Sequence, residues 1–221
     1  MTNGPTNLVQ VWDVPIRVFH WAIVMLVGFS WLSIELNWID LHFLSGYTIL
    51  TLLLFRIVWG IVGSDTARFS RLVLSPVAAL RHLAHIGRRE PDRQIGHNAA
   101  GGWMVLLILA LLLVQVGTGL LSNTDGLDEG PLAHLVGKRA SDLLTIVHSA
   151  NFTVLQIAVG LHVLAVLAYA VLKRQDLVRP MLTGRKRLPV SLGAPRIANL
   201  WLALPVLALA VGIVVLLVNF A

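Results

Sequence analysis

Five long apolar segments dominate the sequence, and Arg56 is the only charged residue well inside any of them. A helix needs about 20 mostly apolar residues to cross the hydrocarbon core of a bilayer. Helices are the natural spanning structure because lipid offers backbone groups no hydrogen-bond partner. The sequence therefore predicts an all-α integral membrane bundle of five transmembrane helices, forming one membrane domain over residues 1–221. The predicted spans cover residues 17–36, 41–62, 101–121, 143–172 and 197–221.

Composition narrows the function classes further. Apolar residues make up 57% of the chain and charged residues 13%, whereas a soluble domain has about 25% charged residues. The chain also has no cysteine. These observations exclude an ordinary water-soluble enzyme, and they exclude disulfides, zinc–thiolate sites and cysteine nucleophiles.

The connecting segments carry charge asymmetrically. Two of them, residues 64–100 and 173–196, are strongly basic. The short segment between the first and second spans and the segment between the third and fourth spans are mostly acidic. Because basic loops stay in the cytoplasm, we predict a multi-pass protein of the bacterial inner membrane with a cytoplasmic N-terminus and a periplasmic C-terminus. The basic residues then serve topology and contact with membrane lipid, and nucleic-acid binding is not expected.

Two further patterns fit this arrangement. Residues 75–89 predict a short amphipathic helix in the cytoplasmic loop 64–100, with Ser75 and Pro76 at its start. Tryptophans near the predicted span ends are typical of an interfacial belt. They are Trp21, Trp38, Trp59, Trp103 and Trp201.

Four histidines, His20, His42, His148 and His162, fall inside predicted spans. An ionisable side chain in a bilayer is costly and indicates function, although a single one is equally well explained by a hydrogen bond between helices. His148 and His162 lie on nearly the same face of one helix, roughly 21 Å apart in depth. His20 begins a span on the inner side and matches the depth of His162, and His42 begins a span on the outer side and matches His148.

This depth matching predicts two inter-helix pairs, His20–His162 and His42–His148. Each pair leaves room for a flat group between its imidazoles, and a haem with two axial histidines fits that arrangement. A zinc or copper site instead needs three or four ligands at one depth. We therefore predict two haem b groups, an inner one and an outer one.

Three other residues are candidates for cofactor binding. Gly46, four residues after His42, allows a porphyrin to approach the helix, although small-residue helix packing explains a single glycine as well. Arg56 is the natural counter-ion of an inner haem propionate, the alternative being a snorkelling arginine. His97 is a candidate contact for a propionate or a quinone headgroup. His82, His85 and His134 are expected at solvated surfaces.

Several strings in the chain resemble the bacterial cytochrome b561 and Ni/Fe-hydrogenase b-type cytochrome family. They are VWDVPIRVFHW at residues 11–21, FRIVWGIVGSDTARFSR at 55–71, GHNAAGGWMVLLILALLLVQVGTGLL at 96–121, and the pair His148 and His162. Their order and spacing cover nearly the whole chain. The resemblance implies a membrane bundle with two b-type haems that exchanges electrons with the quinone pool. The ligands it implies are His20, His42, His148 and His162. The fifth span resembles the hydrogenase-type branch.

The main hypothesis is a di-haem carrier of electrons between a periplasmic redox partner and membrane quinone. The acidic outer residues Asp125, Asp128 and Glu129 favour a basic partner such as a c-type cytochrome. One alternative is the membrane-anchor cytochrome b subunit of a hydrogenase or another periplasmic dehydrogenase, and a quinone-linked oxidation of a small species such as superoxide at the outer face is a variant. Another alternative is a haem-free transporter or structural membrane protein.

Overall fold

The computed structural model describes residues 5–84, 87, 94–124 and 128–220. Nine helices and strands are considered below. In chain order they are β1 (Thr6–Gln10), α1 (Val14–Glu35), α2 (Ile39–Val62), α3 (Pro76–Ala84), α4 (Ala99–Gly119), α5 (Lys138–Ala168), α6 (Val178–Thr183), β2 (Arg185–Pro189) and α7 (Ala203–Phe220).

Five of these helices, α1, α2, α4, α5 and α7, are long and apolar enough to cross a membrane. The predicted all-α membrane bundle with five spanning helices is confirmed. The fourth span is longer than the predicted residues 143–172. It starts at Lys138 and ends in a π-helical turn, Tyr169–Lys173. At about 1.5 Å per residue, this helix exceeds the roughly 30 Å hydrocarbon core.

Large apolar side chains are exposed along the spanning helices. Met25 of α1 is 71% exposed, Leu164 of α5 61% and Leu209 of α7 56%. Soluble monomers rarely expose contiguous apolar surface on this scale. These faces are therefore suited to lipid, which agrees with the exclusion of a water-soluble protein.

The chain forms two compact units. The first comprises Met1–Val18, Val58–Leu107 and Ala158–Ala203, and it contains both basic segments. In it, β1 and β2 pair as an antiparallel ribbon in which Thr6 faces Pro189 and Gln10 faces Arg185. Leu188 of this ribbon is fully buried. The strands were not predicted, because β1 is too short to show a clear alternation and the basic residues of β2 indicate topology more strongly than a strand.

A buried carboxylate organises the start of α1 in the first unit. Asp13 is 2% exposed, and its Oδ1 accepts a hydrogen bond of 2.8 Å from the backbone N–H of Ile16. Its Oδ2 accepts one of 3.0 Å from Nε1 of Trp59. Trp59 is fully buried, so its prediction as a member of the interfacial belt was wrong. Its indole N–H finds a carboxylate partner inside the protein and needs no interface.

The amphipathic segment of the first unit is helical over Pro76–Ala84. The remainder of the predicted helix, including His85, Arg88 and Arg89, lies outside the described residues.

The second unit comprises Phe19–Ile57, Ile108–Ile157 and Leu204–Ala221. Its core takes residues from α1, α2, α4 and α5, whereas α7 contributes a partly buried side chain, Leu217, packed against it. The buried members are Phe19, Ile23, Ile49, Leu53, Leu112, Val116, Leu120 and Leu155. Four helices therefore build the core of this unit, and the fifth supplements it.

We expect Asp13→Ala to lower the free energy of unfolding by about 1–3 kcal/mol, because it leaves two buried donors, Ile16 N–H and Trp59 Nε1–H, without their acceptor. Thermal unfolding in detergent, followed by circular dichroism, measures the loss. Asp176→Ala is the matched control, since Asp176 accepts similar backbone bonds at the exposed start of α6. Equal effects of the two substitutions would contradict the role given to Asp13.

Candidate functional site

The second unit brings together the imidazoles of His42 and His148. His42 lies on α2 and His148 on α5. Their ring centroids are 6.3 Å apart, and the ring planes are nearly perpendicular, at 81°. The depth matching of the sequence predicts this proximity, and the role of the two rings as ligands is taken up below.

A backbone carbonyl fixes the protonation of His42. Nδ1 of His42 lies 2.9 Å from the carbonyl oxygen of Ser30 and 3.2 Å from the hydroxyl of Ser30. Because a carbonyl oxygen only accepts, Nδ1 carries the proton and donates it. In the neutral imidazole, Nε2 of His42 then keeps its lone pair, which is the form that binds a metal ion.

A backbone carbonyl of α4 holds His148 in the same way. Nδ1 of His148 donates to the carbonyl oxygen of Gln115 over 2.8 Å. The hydroxyl of Thr118 lies 3.3 Å from the same nitrogen and donates to the carbonyl of Val114. His148 thus also presents the lone pair of Nε2. Each imidazole of the pair is held by a carbonyl on a neighbouring helix.

The side chain of Gln115 contacts the other nitrogen of His148. Nε2 of Gln115 lies 3.1 Å from Nε2 of His148. Asn151 donates to Oε1 of Gln115 over 2.7 Å and to the carbonyl of Leu111 over 3.0 Å. Because Asn151 occupies the oxygen of the amide, the amide nitrogen is the end that faces His148.

The ring of His148 also packs closely on α4 at Gly119. A Cβ atom at Gly119 would lie 2.9 Å from Cε1 and 3.1 Å from Nδ1 of His148. That separation is too short for a carbon contact, so this position has to be glycine for the ring to keep its place. Gly46 and Gly119 are both glycines where close approach of a porphyrin is expected from the sequence. In the structure, the group that packs against Gly119 is the imidazole of His148.

Both imidazoles line a cavity of about 640 Å³, which is within the range of small-molecule and cofactor sites. Gly46 is part of its wall, and a Cβ there meets nothing within 4 Å. Phe43 and Tyr47, whose rings are stacked, also line it. Most of the remaining wall is apolar, including Val27, Ile49, Leu112, Val116, Phe152 and Leu155.

This geometry fits a haem held by two histidines. With metal–imidazole bonds of about 2.0–2.1 Å, two imidazoles that held one ion would have ring centroids roughly 6 Å apart. The observed separation is 6.3 Å. Two imidazoles in a largely apolar cavity are a donor set that would suit haem iron. Within the described part of the chain, no group of three or more His, Cys, Asp or Glu residues is arranged to hold a metal ion.

The other predicted pair is divided between the two units. His20 belongs to the second unit and His162 to the first. Both side chains are half-buried, and the ring of His20 lies edge-on to that of Trp21 at 5.0 Å. The pairing of His20 with His162 stays a prediction.

Arg56 is buried, and His97 packs against Trp12. Arg56 is 4% exposed, so the protein covers its side chain, which the snorkelling alternative does not predict. The ring of His97 lies 4.7 Å from that of Trp12, tilted by 58°. Their contacts with a propionate or a quinone stay predictions.

His82 was expected at a solvated surface, but its side chain is half-buried. Its Nε2 is hydrogen-bonded to the hydroxyl of Tyr169, which also accepts from Asn98 over 2.9 Å. Tyr169 is 6% exposed. His82 therefore ties α3 to the end of the fourth span. His134 is exposed, as predicted.

Sequence reasoning missed the polar residues around the histidine pair. Gln115 and Asn151 lie in segments that are mostly apolar, and a polar side chain inside a span needs a hydrogen-bond partner. The polar side chains themselves could therefore have been identified from the sequence. Their partners could not, because these depend on how each helix is rotated about its axis.

Comparison with known proteins gives one match. The model of a family described as prokaryotic cytochrome b561 matches residues 11–184. This range includes all four histidines of the spans, and α7 follows it. Searches of curated proteins and of solved structures returned no significant match.

We expect Gly119→Ala to displace the ring of His148 and to lower the haem content of the purified protein. A pyridine haemochrome spectrum, expressed per chain, measures it. Gly117→Ala is the matched control, because a Cβ at Gly117 on the same helix meets nothing within 4 Å. An unchanged haem content in Gly119→Ala would show that the ring tolerates the added carbon.

Proposed function

This chain belongs to the prokaryotic cytochrome b561 family of membrane electron-transfer proteins, and we propose that it is a di-haem cytochrome b. In this proposal it transfers electrons between a periplasmic redox partner and the quinone pool. The single observation that carries it is the approach of His42 and His148, at 6.3 Å between ring centroids, in an apolar cavity.

The outer haem is assigned to His42 and His148. Both histidines present Nε2 because carbonyl groups of Ser30 and Gln115 accept from Nδ1. A hydrogen bond of this kind orients a ligand ring and raises its basicity. Bound haem supplies a one-electron iron couple, and the apolar wall that excludes water is one means of setting its potential. The residues of this site need only bind, orient and shield the group.

The inner haem is assigned to His20 and His162. Its support is the depth matching on α1 and α5 together with the family, whose matched residues include both histidines. Arg56 is proposed as the cation that balances a propionate of this haem. Its burial favours this assignment over the snorkelling alternative, because a snorkelling side chain extends to the membrane interface.

Orientation follows from the basic segments. The first unit contains Arg68, Arg71 and Arg81, together with all seven basic residues of 173–196. The positive-inside rule assigns these segments to the cytoplasm. We therefore propose the inner membrane of a bacterium as the location, with the N-terminus inside and the His42–His148 pair toward the periplasm.

The proposed periplasmic partner is a basic protein such as a c-type cytochrome. Asp128 and Glu129 lie in the connection between α4 and α5, whereas Asp125 lies outside the described residues. Acidic groups near a redox site increase the association rate of a basic partner through long-range attraction. Quinone is proposed as the partner within the membrane.

We expect about two b-type haems per chain in the wild-type protein. His148→Ala and His42→Ala each remove one haem, and His162→Ala and His20→Ala each remove the other, since each pair shares one iron. Pyridine haemochrome spectra and a redox titration count the haems. His134→Ala, on an exposed histidine, serves as control. A colourless wild-type protein would favour the haem-free transporter, and loss of both haems from every single variant would contradict the independent losses expected of two separate pairs.

Arg56→Gln is expected to lower the midpoint potential of one haem by several tens of millivolts and to leave the other unchanged. A buried cation stabilises the added electron of the reduced iron, and its removal therefore favours the oxidised form. A spectroscopic redox titration measures the shift. Arg71→Gln, which changes an exposed arginine, is the control. Equal shifts of both haems in Arg56→Gln would contradict the assignment to one propionate.

A further inference from the structure

The side chain of Gln115 and iron compete for the same atom. Nε2 of His148 has one lone pair, because Nδ1 donates to the Gln115 carbonyl and so carries the proton. In this structure Nε2 of His148 lies 3.1 Å from the side-chain amide nitrogen of Gln115. An imidazole nitrogen that accepts this hydrogen bond cannot coordinate iron at the same time.

The amide is held in this position from a second helix. Asn151 follows His148 by three residues on α5, so both side chains point to the same face of that helix. Asn151 donates 2.7 Å to Oε1 of Gln115 and is itself 9% exposed. Gln115 thus contacts His148 with its backbone carbonyl and with its side-chain nitrogen, and the two contacts have different consequences for a ligand.

We propose that Gln115 is a positioning residue with two separate roles, which rests on the proposed function of His148 as a haem ligand. Its carbonyl holds His148 in the tautomer that binds iron. Its side-chain amide is a placeholder that satisfies Nε2 of His148 and would have to turn away for this nitrogen to hold iron. The placeholder keeps a polar atom paired in an apolar cavity, and it weakens haem binding by the strength of one hydrogen bond.

The direction of this effect separates a placeholder from a structural residue. Gln115→Met keeps the length of the side chain and the backbone carbonyl but removes the competing donor. Hydrogen bonds between membrane helices are modest, so we expect haem to bind at the His148 site roughly three- to fifteen-fold more tightly in the variant. Damage to packing, or loss of a contact between Gln115 and bound haem, weakens binding instead.

The experiment uses the full-length haem-loaded protein in detergent, with excess apomyoglobin as the haem acceptor. The haem retained at equilibrium is measured by absorbance for the wild type and for Gln115→Met. The haem that the wild type binds and His148→Ala does not bind is assigned to the His148 site. Gln10→Met is the matched control, because Gln10 is exposed on β1 and lies outside this cavity.

Tighter retention of the haem at the His148 site in Gln115→Met, with wild-type retention in Gln10→Met, supports the placeholder. Unchanged or weaker retention in Gln115→Met overturns it. If Gln115→Met does not fold, Asn151→Ala decides, since it releases the amide of Gln115 and is expected to tighten retention by a smaller factor. If His148→Ala loses no haem fraction, the proposed function fails, and this outcome is distinct from failure of the placeholder.

Discussion

The approach of two neutral imidazoles within an apolar cavity is the interaction on which the functional site depends. Neither ring is placed by its own helix alone. The carbonyl of Ser30 on α1 holds His42 of α2, and the carbonyl of Gln115 on α4 holds His148 of α5. Backbone carbonyls suit this purpose because they cannot donate, so they dictate which ring nitrogen carries the proton. The site therefore needs all four helices, although only two of them supply the paired rings.

The bilayer imposes the second constraint. In lipid the solvent cannot satisfy a polar side chain, so each one inside a span has to be paired or functional. Around His148 this leads to a small network in which Gln115 and Thr118 contact the ring, Asn151 donates to Gln115, and Thr118 donates to the carbonyl of Val114. Asp13 and Trp59 follow the same rule in the first unit. The buried polar groups thus define the geometry, while the exposed apolar surface meets the lipid.

The sequence was sufficient for the spans and for the approach of His42 and His148, because both follow from hydrophobic length and helical rise. It was not sufficient for Trp59, since an indole near a span end suits the interface and the interior equally well until its partner, Asp13, is known. The β1–β2 ribbon was missed because its two strands are far apart in the sequence, and because strands this short show no clear periodicity. His82 was misjudged for a similar reason, as its partner Tyr169 is distant in sequence.

The contribution of α4 explains why a helix without a histidine is part of the site. Gln115, Thr118 and Gly119 follow the spacing i, i+3 and i+4, which places them on one face of the helix. The ring of His148 contacts all three, through a carbonyl, a hydroxyl and the space left by a missing side chain. A change in the rotation of α4 would disturb these contacts together. The position of the His148 ring therefore depends on the rotation of α4 about its axis. Residues that fix this rotation affect the geometry of the site without contacting the ring.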